Sequence, residues 1–128
     1  MRHHSAHRKF GRKSGQRTAL LRSLARSLVL EESITTTVAK AKGLRPFIEQ
    51  LVSMSKKNTL SSRRIISARM GGAPEVVKKL HDTYAPRYAK RAGGYTRIVR
   101  LGRIGKRVGE AARIEFVQAE GAASGGKK

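Results

Sequence analysis

Two stretches of this chain combine residue types and spacing suited to binding an anion. The first runs from Arg87 to Leu101. Its cations Arg87, Lys90 and Arg91 lead into a glycine pair, Gly93-Gly94, and then into Tyr95-Thr96-Arg97-Ile98-Val99-Arg100-Leu101. Paired glycines reach positive φ without a steric penalty and let the backbone approach a partner closely. Guanidinium groups on either side of such a turn present forked donors that match phosphate oxygens. The second stretch is residues 1–16, MRHHSAHRKFGRKSGQ, which carries Arg2, His3, Arg8, Lys9, Arg12 and Lys13 and no acid. It cannot bury enough apolar surface to offset the entropy of ordering, so it is expected to be flexible alone and to fold onto a phosphate backbone as an extended arm.

Further cations supplement these two. Arg17 opens the segment after the arm, and Arg22 and Arg26 follow at i,i+4 spacing. Arg103, Lys106 and Arg107 lie in a glycine-punctuated loop over residues 102–110. The scattered acids oppose catalysis. Glu31, Glu32, Glu49, Glu75, Asp82, Glu110, Glu115 and Glu120 form no cluster along the chain that would hold a divalent metal. The adjacent Glu31-Glu32 pair falls at a helix end and reads as surface, as does the dipeptide His81-Asp82. His3, His4 and His7 have no carboxylate or thiolate nearby, so base stacking or phosphate contact suits them better than a metal. No catalytic residue, metal, cofactor or small-molecule substrate is expected. Tyr95 has two open readings, contact with a sugar or base and packing on the core.

The totals point the same way. With 128 residues the chain is the size of one domain. Its 29 Lys and Arg against 8 Asp and Glu give a formal charge of +21. A compact body with that charge repels itself, which calls for an anionic partner. There is no cysteine, so disulfides and thiolate metal sites are excluded. No apolar run approaches a membrane span, and no apolar segment follows the basic N-terminus as a secretory signal requires. Aromatics, at 5%, are too few for a platform that stacks successive bases, which leaves salt-sensitive backbone contact as the expected mode.

The elements that must position these residues read as a small α+β domain over residues 17–118, between the arm 1–16 and a flexible tail 119–128. Four helices are expected. Leu20, Leu21, Leu24, Ala25 and Leu28 give a helical stripe over Arg17–Leu30. A second helix covers about 39–57 with Leu44, Ile48, Leu51, Val52 and Ser55 inward, disturbed near Gly43 and Pro46. A third, capped by Thr59, Ser61 or Ser62, carries Leu60, Ile65, Ile66 and Met70. The fourth starts at Pro74 and is closed by Pro86, with Val76, Val77, Leu80 and Tyr84 inward. β-Branched and alternating runs predict strands at about 33–38, 95–101 and 111–117, the last two antiparallel.

These residues, in this order, resemble the bacterial large-subunit ribosomal proteins of the L-seventeen family over about 1–117. The matching pieces are Met1-Arg2-His3, Arg8-Lys9-Phe10-Gly11-Arg12, Arg17 with Ala19-Leu20-Leu21-Arg22, Ile34-Thr35-Thr36-Thr37, Lys40-Ala41-Lys42 and Leu44-Arg45. Arg63-Arg64 follows, and the most specific piece is Pro86-Arg87-Tyr88, Arg91 and Gly93-Gly94-Tyr95-Thr96-Arg97-Ile98. The resemblance implies a three-stranded sheet against helices and direct binding to large-subunit rRNA in the cytoplasmic ribosome, an organellar one being the other option. It also implies a position near the nascent-chain exit and other ribosomal proteins as neighbours; no membrane partner is expected, because the positive faces are not paired with a large exposed amphipathic face. Gln16 stands where the family often has His, residues 4–7 look inserted, and the 102–110 loop is unusually basic.

Charge alone would equally support a nucleoid-type DNA-binding protein, although no helix-turn-helix or dimerising coiled coil is apparent. An RNA-processing nuclease or its cofactor is the third reading, and would need a carboxylate such as Asp82.

Overall fold

The structure is a computed structural model that describes residues 8–106 and 109–118. Arg2, His3 and Arg107 lie outside the described residues. The elements are α1 (Ser14–Glu31), β1 (Ser33–Thr37), α2 (Val38–Ser55), α3 (Leu60–Met70), α4 (Pro74–Lys79), a π-helical turn (Leu80–Tyr84), α5 (Ala85–Arg87), β2 (Thr96–Gly102) and β3 (Ala111–Phe116). The α+β architecture is as expected, with three antiparallel strands in the order β1-β3-β2.

Local chemistry sets most boundaries. The Thr37 hydroxyl accepts from the Lys40 N–H at the start of α2, and Thr59 accepts from Ser62 at the start of α3. Gly71, at φ +72°, ends α3 in a left-handed turn that a side chain would strain. α1 begins three residues earlier than its apolar stripe indicates. There Lys13 has extended backbone and its N–H donates to Gln16 Oε1 at 3.3 Å. α2 runs unbroken through Pro46. Pro86 does not close the fourth helix; it sits inside its last turn, just after the widened π turn, in which the Ala85 N–H reaches back to the Leu80 carbonyl. A wider turn accommodates a proline ring that would otherwise press on the preceding turn and that has no N–H to donate.

The core lies between the sheet and the helices. Its largest fully buried side chains include Leu28, Leu44, Ile48, Leu51, Ile66, Leu80 and Ile114. Each contributes about 1.5–3 kcal/mol by leaving water. All three tyrosines join them. Tyr84 stacks on Phe116 with centroids 4.1 Å apart and donates to the Val29 carbonyl at 2.7 Å, and Tyr88 donates to the Val117 carbonyl. In the central strand β3, Ala112, Ile114 and Phe116 point inward as the alternation predicts.

His81 departs from expectation. It is buried, 5% exposed, with Ser62 Oγ at 3.2 Å and the Val77 carbonyl at 3.0 Å. His81 lies four residues after Val77 and beside Leu80, so the ordinary α repeat turns it inward onto the apolar stripe while Asp82 stays at the surface.

Candidate nucleic-acid interface

The glycine turn is built between α5 and β2 and is held from beneath by α2. Glu49 accepts from the Thr96 N–H at 3.1 Å and from its hydroxyl at 2.9 Å. Lys56 donates to the Arg91 carbonyl and, at 3.0 Å, to the Tyr95 hydroxyl, which also meets Ser53 Oγ at 3.2 Å. Thus the polar side of α2 fixes both ends of the turn. Gly94, at φ +63°, supplies the left-handed step between them, and Arg91 Nε closes the turn on the Gly93 carbonyl at 3.1 Å. Glu49, Ser53 and Lys56 do not stand out as site residues in the sequence. Their spacing i, i+4, i+7, beside the apolar stripe of the same helix, is the signal that marks them.

Of the two readings of Tyr95, the structure shows core packing. Its ring is 1% exposed and lies 5.1 Å from that of Tyr88. Burial raises its hydroxyl pKa, but the hydrogen bonds from Lys56 and Ser53 and the Lys56 charge outweigh this, and the net shift is below the ordinary tyrosine value.

The expected cations divide into two groups. The first makes contacts inside the protein. Arg22 donates to the Arg69 carbonyl at 2.8 Å and to that of Ala68 at 3.3 Å, satisfying the end of α3. Arg26 pairs with Glu75 at 2.8 Å and Arg97 with Glu115 at 2.6 Å. Arg87 pairs with Glu32 at 2.9 Å and lies 5.0 Å above the Tyr84 ring. Burial works against the Arg87 charge, yet its bonds with Glu32 and Tyr88 hold its pKa above the ordinary arginine value. Arg17 donates to the Arg12 carbonyl at 2.7 Å.

The second group has no acidic partner among the described residues. It comprises Arg8, Lys9, Arg12 and Lys13 at the root of the arm and Arg103 and Lys106 in the β2–β3 loop, all exposed. Apart from Arg12, whose Nη1 donates to the Phe10 carbonyl at 3.2 Å, these side chains have no carbonyl or acid to donate to among the described residues. Arg69, absent from the expected set, joins the surface. It lines a concavity with Gln50, Ser53, Gly93 and Tyr95, and donates to Gln50 Oε1 at 2.9 Å.

The arm root makes contacts within the chain. Lys9 to Arg12 form a turn, with the Arg12 N–H on the Lys9 carbonyl at 3.1 Å. The partly buried Phe10 ring lies against Gly43 of α2. Gly43, Pro46, Gln50, Glu49, Ser53 and Lys56 fall within one half of the circumference of α2. One side of one helix therefore carries both the arm root and the glycine turn, roughly 15 Å apart along its axis.

The chain is thus a basic α+β body with cations on an arm and a loop that have no acidic partner among the described residues, and with Glu32, Glu49, Glu75, Glu110 and Glu115 engaged in ion pairs. The family model described as "Ribosomal protein L17" matches residues 20–117. The chain is 45% identical over 125 residues to "Large ribosomal subunit protein bL17" of Sphingopyxis alaskensis, covering 98% of this chain and 89% of the relative. It is 46% identical to the protein of that name from Thermomicrobium roseum, covering 92% and 97%, and 46% identical to that from Anaplasma marginale, covering 92% and 89%. The chain belongs to the ribosomal protein L17 family, whose members are structural components of the ribosome and not enzymes.

Proposed function

We propose that the chain is a structural constituent of the large ribosomal subunit that binds large-subunit rRNA and holds RNA segments together by neutralising their repulsion. Family membership supports the assignment to the large subunit. The observation that supports the RNA mode is the partition of cations. Those on the arm and the β2–β3 loop have no acidic partner among the described residues, while Arg26, Arg87 and Arg97 are paired with acids of the fold.

In this reading Arg2, His3, Arg8, Lys9, Arg12 and Lys13 carry the arm contacts. Gly93 and Gly94 present backbone to phosphate, with Arg91 and Arg69 beside them. Arg103, Lys106 and Arg107 form a third contact. Arg17, Arg22, Arg26, Arg87, Tyr95 and Arg97 shape the surface through their contacts within the chain. Ribosomal proteins are its protein neighbours. On the family resemblance we extend the proposal to a position near the nascent-chain exit of a cytoplasmic ribosome. Among the described residues no helix is long and apolar enough to cross a membrane. The nucleoid and nuclease readings give way to family membership.

The test is sedimentation of the tagged protein from lysate on a sucrose gradient, repeated after a high-salt wash. Stoichiometric co-migration with the large subunit through moderate salt is expected. A protein at the top of the gradient, or one that tracks with DNA, would overturn the proposal.

A further inference from the structure

Within the arm, Phe10 is the one large apolar side chain after Met1, and the structure uses it. Its ring sits in a notch in α2 created by the absence of a side chain at Gly43. A Cβ at position 43 would lie 2.6 Å from the Phe10 Cζ, closer than real contacts allow. The backbone around it is unusual. Phe10 has φ +56° and Gly11 φ +62°, two left-handed residues in succession. Glycine adopts that conformation freely, whereas phenylalanine does so at a cost that its surroundings must offset. Two hydrogen bonds tie off the hook. Arg12 Nη1 donates to the Phe10 carbonyl at 3.2 Å, and Arg17 Nη1 to the Arg12 carbonyl at 2.7 Å.

A glycine in the interior of an 18-residue helix is unfavourable for the helix itself. At Gly43 the notch gives it a use. The same side of α2 carries, further along, the groups that hold the glycine turn, Glu49, Ser53 and Lys56. A ring seated at Gly43 therefore fixes the arm root at a set distance from that turn.

We propose that Phe10 and Gly43 form a latch that sets the arm root in register with the glycine turn, so that the cations of both meet rRNA as one preorganised surface. Phe10 is a positioning residue: it supplies no charge and makes no contact with phosphate. The latch removes conformational entropy from the arm before RNA arrives, which raises affinity without adding contacts. This inference rests on the rRNA-binding reading, but the latch itself is an intramolecular contact and can be measured without RNA.

Gly43→Ala is the informative variant. The atom that it displaces is the far end of a side chain on the arm, so the core can stay intact while the ring is expelled. Alanine also favours the helix. The experiment combines three readouts on the full chain: thermal melting, trypsin cleavage after Lys9 and Arg12 in the absence of RNA, and filter binding to deproteinised large-subunit rRNA. For Gly43→Ala the expected result is a melting temperature unchanged or raised, cleavage accelerated several-fold, and rRNA affinity lowered about tenfold. Phe10→Ala should accelerate cleavage and weaken binding alike, and the double variant should be no worse than Phe10→Ala, because the two changes break one contact. Wild-type cleavage in Gly43→Ala would overturn the latch, and losses that add in the double variant would do the same. Faster cleavage with unchanged rRNA affinity would overturn its positioning role. Failure of the wild-type chain to bind rRNA, with arm protection intact, would count against the rRNA reading and not against the latch.

Discussion

Glu49 of α2 accepts two hydrogen bonds from a single residue of β2, Thr96, through its backbone N–H at 3.1 Å and its hydroxyl at 2.9 Å. Thr96 is 2% exposed, and Glu49 reaches it from the edge of the concavity it lines. This contact fixes where the glycine turn ends and the strand begins. Glu49→Ala should therefore destabilise the protein by about 1–3 kcal/mol, the cost of leaving buried donors unpaired. Glu49→Gln keeps an acceptor and should lose less. Urea denaturation of the two variants checks the order; equal stability of wild type and Glu49→Ala would show that the contact does not anchor the turn.

The partition of the cations predicts two kinds of arginine and lysine variant. Replacing Lys9 or Arg103 by alanine should leave the melting temperature unchanged. It should lower the salt slope of rRNA binding by about 1 for each phosphate that is no longer neutralised. Arg22→Ala should behave in the opposite way. It removes the donor to the Arg69 carbonyl and one of two donors to that of Ala68, which costs stability of about 1 kcal/mol, and it should leave the salt slope unaltered. Binding isotherms at several KCl concentrations, run beside thermal melts, separate the two groups.

The three tyrosines should ionise in a defined order. Tyr95 comes first, below the ordinary value, because Lys56 and Ser53 stabilise its phenolate against the effect of burial. Tyr84 and Tyr88 come later. Burial raises both; the Glu32 charge adds to the rise at Tyr84, and at Tyr88 burial prevails over Arg87. For the latter two the sign is that of a raised folded-state pKa. Their contribution to stability is complete below the ordinary value of 10.0 and is lost as pH rises past it. Tyr95 has the reverse sign and offsets part of this loss. Ultraviolet titration should show one phenolate forming before unfolding and two forming with it; three ionising together at the ordinary value would contradict this account.

Much of the fold is legible in the sequence because periodicity reports burial. The stripe Leu44, Ile48, Leu51, Val52 in α2 and the alternation Ala112, Ile114, Phe116 in β3 are buried as read. A polar His-Asp dipeptide reads as solvent-facing, yet His81 stands four residues from Val77 on the apolar stripe and bonds Ser62 and Val77 in the core. Pro86 reads as a stop because a proline interrupts an α-helix, and only the wider turn before it lets the helix continue. The site is partly legible. Charge density marks the arm and the glycine pair marks the turn. Sequence does not show which cations are engaged internally, since Arg22 meets Ala68 and Arg69 across more than forty residues of chain. Nor does it reveal that Phe10 meets Gly43, because an isolated aromatic in a basic arm and a glycine in a helix each have commoner explanations.

The central claim is that the arm and the glycine turn hold rRNA while the cations paired within the chain hold the fold. Ultraviolet crosslinking of intact large subunits, with mass spectrometry of the RNA-bound peptides of this chain, tests it most directly. The account predicts crosslinked peptides from residues 1–13, 91–94 and 103–107. Crosslinks confined to the exposed face of α3 and α4, with none from the arm or the turn, would contradict it.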